Sequence, residues 1–63
     1  MNIADFMFYL YTNYTISGEA HRLIANILHY AKTLPKEERH PFVIKMLEGT
    51  IGISEDEIRK IEL

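Results

Sequence analysis

IADFMFYLYTNY, residues 3–14, holds five of the chain's seven aromatic residues and a single charged one. Ile3, Phe6, Met7, Leu10 and Tyr14 recur at i, i+3, i+4, i+7 and i+11, one stripe at a period of about 3.6 residues. Phe8, Tyr9 and Tyr11 have strand propensity, but the helical spacing persists over three turns, so the stretch predicts a helix over residues 3–13. Its 12 residues, broken by Asp5 and Asn13, fall short of the roughly 20 apolar residues of a membrane span. A secretory leader would open on basic residues, and the only early charge here is acidic. A chain without a membrane segment, in the cytoplasm, is therefore expected.

Working outward, TISGEAH breaks that helix and starts another. Ser17 is a good N-cap, and Glu19 lies in the first turn where the helix dipole favours a negative charge. Ala20, Leu23, Ile24, Ile27, Leu28, Ala31 and Leu34 then form an apolar stripe, with His21, Arg22, Asn26, His29, Lys32 and Thr33 opposite, predicting a helix over 18–33. Pro35 fits the first position of a third helix, where its missing N–H costs nothing. Pro41 would leave the Glu37 carbonyl without a donor, so a third helix over 35–48 is expected to break near His40. Phe42, Val43, Ile44, Met46 and Leu47 make that segment apolar on most sides, and Gly49 is a natural terminator. Ser54 and Glu57 form a capping box, with Ile53 and Ile58 placed as a hydrophobic staple, predicting a last helix over 54–62. The expected fold is all-α, a bundle of three to four short helices in a single domain spanning residues 1–63.

The bulk composition agrees. With 48% apolar and 25% charged residues the chain is that of an ordinary globular domain. A domain of 63 residues buries only about 60% of the surface its unfolded chain exposes. Small folds offset this with disulfides, metals or oligomerisation. The absence of cysteine removes disulfides and thiolate zinc sites and fits a reducing compartment. Self-association is the compensation left open.

No pattern of catalytic residues stands out. His21 and His29 are eight apart on one helix, a rise of about 12 Å, too far for two ligands of one ion, and His40 lies in another segment. All three read as exposed histidines on polar helix faces. Glu37 and Glu38, like Glu55, Asp56 and Glu57, fall in first helical turns, where the dipole accounts for them. No nucleophile and base are paired at a recognisable spacing. The expectation is a chain that is not an enzyme and needs no cofactor or metal.

Nucleic acid is disfavoured as a partner. The net charge is −2, and residues 1–20 contain neither Lys nor Arg, so the aromatics lack the basic residues that single-strand stacking needs. Residues 42–62 admit a helix-turn-helix reading, kept as the alternative. Against it, the would-be recognition helix opens on Glu55, Asp56 and Glu57, where approach to bases and phosphates would be repelled. Glu48 also occupies a position at which such motifs need a small residue.

That leaves Phe8, Tyr9 and Tyr11, which the core stripe of the first helix does not use. Burial of that helix between the others would absorb them. Otherwise they form a second aromatic face of the kind enriched at protein interfaces. The reading adopted is a small interaction protein, a homodimer or a regulatory binder of a larger protein, with Phe8, Tyr9 and Tyr11 as its interface.

Overall fold

The computed structural model describes residues 1–48 and 52–63, and among them it is all-α with no strand. Four helices follow in order: α1 Ile3–Asn13, α2 Gly18–Ala31, α3 Lys36–Leu47 and α4 Glu55–Arg59. The expected terminator Gly49 lies outside the described residues.

Three of the four starts carry a local side-chain cap. Asn2 caps α1 by accepting from the Asp5 amide at 2.7 Å. Ser17 caps α2 by accepting from the Ala20 amide at 3.0 Å. Ser54 and Glu57 make the expected reciprocal capping box on α4. These bonds satisfy amides that have no partner within the helix.

The core is one cluster built from all four helices and the segment after α4. Phe6, Leu10, Ile24, Leu28, Val43, Ile58 and Ile61 are its fully buried side chains. Ile3, Phe6, Met7 and Leu10 of the predicted α1 stripe are buried, and Tyr14 is half-buried at its end. No described helix is long and apolar enough to cross a membrane.

Four expectations change in detail. Pro35 is the N-cap of α3, not its first helical residue. α2 ends at Ala31, short of the expected residue 33, and Lys32 to Leu34 close in tight i→i+3 turns before Pro35. α3 runs unbroken through Pro41. The ring sits on an exposed position and the unpartnered Glu37 carbonyl belongs to an exposed residue, so water can serve it.

α4 stops at Arg59, short of the expected residue 62. The backbone beyond it is claimed by distant partners. The Met1 ammonium donates to the Lys60 carbonyl at 2.8 Å, the Glu62 amide to the Met1 carbonyl at 2.7 Å, and His40 Nε2 to the Ile61 carbonyl at 2.7 Å. Those contacts replace the helical ladder.

Candidate protein-interaction surface

The three aromatics expected to form an interface part company in the structure. Phe8 and Tyr11 are exposed, by 69% and 74%. Three residues apart, they are neighbours on the helix surface. Ala4, also exposed, precedes them, so Ala4, Phe8 and Tyr11 form an outward i, i+4, i+7 stripe. The cause is geometric: Phe6 and Leu10 define the buried side of α1, and Phe8 points away from it.

Tyr9 goes elsewhere. Its ring stacks on Phe6 with centroids 6.2 Å apart, and its hydroxyl donates to Glu57 Oε2 at 2.6 Å. Tyr14 donates to the same oxygen at 3.1 Å. The Ser54 amide donates to Glu57 Oε1 at 3.2 Å and the Ser54 hydroxyl does so at 3.1 Å. The capping glutamate of α4 is thus also the anchor that fastens α4 to α1. Hydrogen bonding from Tyr9 and from the Ser54 backbone holds the Glu57 carboxyl below the usual carboxylate range. The bond to Glu57, with some desolvation, pushes Tyr9 up to about 12; desolvation and the same carboxylate raise Tyr14. A small cavity of about 90 Å³, bounded by Met1, Phe6, Tyr9, Glu57 and Lys60, adjoins the clamp.

The histidines also depart from the polar-face reading. His21 is half-buried, with Nε2 3.4 Å from the Met7 carbonyl and its ring edge-on to Tyr11 at 6.3 Å. His40 is half-buried on the Ile61 carbonyl, while His29 is exposed. Since a carbonyl can only accept, Nε2 of His40 carries a proton. These two rings fasten segments together, a role no spacing in the sequence signals.

Exposed apolar side chains outside α1 were not foreseen. Leu23, assigned to the inward stripe of α2, is 59% exposed, and Tyr30 and Met46 are 56% and 49% exposed. Leu23 sits about 100° around the helix from Ile24, which is the centre of the buried side. Tyr30 packs on Phe42 at 5.4 Å, beside a shallow groove of about 490 Å³ edged by Glu37, Glu38 and Lys45. Another groove of about 490 Å³ lies between α3 and α4 over Ile44, Leu47, Ile53 and Ile58.

Of these surfaces, the outer face of α1 pairs the two most exposed large hydrophobic side chains among the described residues. Asp5 is the one charged side chain on α1. No family model matches the chain, and neither a curated protein nor a solved structure matches it significantly.

Proposed function

We propose that this chain is a non-catalytic protein-interaction module whose contact surface is the outer face of α1. One observation carries the reading: Phe8 and Tyr11 lie adjacent and largely exposed on a helix whose Ile3, Phe6, Met7 and Leu10 are buried in the core. Exposed neighbouring rings on a small domain are costly in water and are the residue types that anchor protein contacts. The non-catalytic part is supported by the use made of the perturbed groups. Tyr9, Tyr14 and Glu57 are engaged with one another and with Ser54 in holding α4 to α1. A cysteine-free chain fits a cytoplasmic setting.

The helix-turn-helix alternative over residues 42–62 draws less support. α4 is five residues long, its first turn is Glu55, Asp56 and Glu57, and Glu57 is tied to α1. A recognition helix presents its N-terminal residues to the groove, where these carboxylates would meet phosphate.

The test is capture of partners from the native cell with the unaltered chain, a Phe8→Ser/Tyr11→Ser variant and a Leu23→Ser control. The double variant is expected to keep its helical circular dichroism and lose its partners, and the control to keep both. Retention of every partner by the folded double variant removes the α1 face from the function. Unfolding of that variant would show that the rings serve the fold.

A further inference from the structure

We propose that residues 53–63 form a strap that opens as one unit while α1, α2 and α3 stay packed, and that the bond from Tyr9 to Glu57 is its latch. The helix packing sets this up. The backbone of α2 lies against both α1 and α3, whereas that of α4 lies against α3 alone and α4 reaches α1 through side chains. Releasing α4 therefore leaves the other three helices in contact. α2 and α3 are 14 and 12 residues long, but α4 has only 5, too few to stay helical once undocked. Undocking and unwinding are then a single event.

The ties that hold the strap are few and separable. Ile58 and Ile61 are its buried side chains, with Ile53 and Leu63 partly covered. On the α1 side the tie is polar, with Glu57 Oε2 accepting from Tyr9 at 2.6 Å and from Tyr14 at 3.1 Å. Further along, His40 donates to the Ile61 carbonyl and the Glu62 amide to the Met1 carbonyl, both at 2.7 Å. The strap's own backbone bonds, from the Ile58 amide to Ser54 and from the Ile61 amide to Ile58, lie outside the other helices and break without disturbing them. Just before the strap stands Gly52, at φ +75° with open space around it, a residue free to take up the change in backbone angles.

Opening uncovers apolar surface that the closed chain hides. Leu47 of α3 shares a groove with Ile58, and Phe6 of α1 shares a cavity with Glu57 and Lys60; both are buried only while the strap is down. Segments with few ties of this kind open well below the free energy of global unfolding. The Tyr9 hydroxyl bonds to Glu57 and to no group within α1, α2 or α3. As a charge-assisted bond it is among the stronger ties, so it sets the ratio of closed to open chain without touching the packing of the other helices.

Native-state hydrogen exchange of the full chain tests this, under conditions where closing outpaces chemical exchange. The reporters are the Ile58, Lys60 and Ile61 amides of the strap and the Ile27 and Leu28 amides of α2. The expected result is one shared opening constant for the strap amides, about tenfold or more above that of the α2 pair. Two mild variants locate the event. Ile24→Val weakens the α2 core and should speed exchange at Ile27 and Leu28 while leaving the strap amides unchanged. Tyr9→Phe keeps the ring and the capping box and should speed the strap amides about threefold or more. Strap amides that follow Ile24→Val would mean that the whole chain opens at once, and unequal constants among them would mean stepwise fraying; either result overturns the strap. Strap exchange indifferent to Tyr9→Phe overturns the latch.

Discussion

At the scale of single residues, Glu57 joins two tasks that are usually separate. Its carboxylate completes the capping box of α4 and receives the Tyr9 and Tyr14 hydroxyls from the α1 region. Glu57→Gln keeps one acceptor oxygen and removes the charge that strengthens those bonds, so thermal unfolding should shift down by several degrees while the helix content persists. The sign of the pH dependence follows from the two directions of shift. Glu57 ionises more readily folded than unfolded, so its contribution is present above the unfolded value of about 4.3 and is lost as pH falls through the folded value. Tyr9 is raised to about 12, so its contribution is complete below the unfolded value near 10 and is lost as pH climbs towards 12. Denaturant midpoints measured across pH should show both losses; Glu57→Gln should flatten the acid one and Tyr9→Phe the alkaline one. The capping half of this arrangement is legible in S-x-x-E. The clamp is not, because Tyr9 and Glu57 are 48 residues apart and only folding brings them together.

At the scale of elements, the helix starts are written in the chain and several ends are decided elsewhere. Pro41 sits inside α3 although the local rule asks for a break. Pro41→Ala restores the missing donor to the Glu37 carbonyl and removes some rigidity from the unfolded chain. Of the ~3 kcal/mol that an interior proline costs a helix, a net gain near 1–2 kcal/mol should remain, seen as a higher melting temperature. The glycines separate by conformation. Gly52 has φ +75° with open space around it, so Gly52→Ala should cost about 1 kcal/mol through the backbone alone. Gly18, at the start of α2, also has open space and no positive φ, so Gly18→Ala should be neutral or stabilising by up to about 1 kcal/mol. A pair of chemical denaturation curves would give the two signs.

At the scale of the whole molecule, the small size leaves little margin. A chain of this length is expected to hold about 3–9 kcal/mol of stability. Leu28, fully buried on α2, is the kind of residue whose truncation to alanine costs about 2–5 kcal/mol. Leu28→Ala should therefore leave a substantially unfolded population at 37 °C, read from near- and far-ultraviolet circular dichroism. Phe8→Ser/Tyr11→Ser removes more apolar volume from exposed positions and should leave the melting temperature of the dilute monomer within a few degrees of the parent. The contrast separates side chains that hold the domain together from exposed rings that the fold does not need.

Periodicity, caps and breakers were enough to establish an all-α bundle of three to four short helices and most of the buried positions, because those signals act between residues a few places apart. Phe6, Leu10, Ile24, Leu28 and Ile58 needed no partner to be recognised as inward-facing. The α1 aromatics are a different matter. A 3.6 period identifies which residues share a side, but how wide an arc is covered depends on where neighbouring helices come to rest. α4 lies against Tyr9 and leaves Phe8 and Tyr11 in water, and the α2 surroundings leave Leu23 outside the stripe that its spacing suggested. Likewise α4 ends where Met1 and His40 take up the backbone groups of residues 60–62. Contacts across 21 to 61 residues carry no local signature, and it is they that separate the exposed surface from the core.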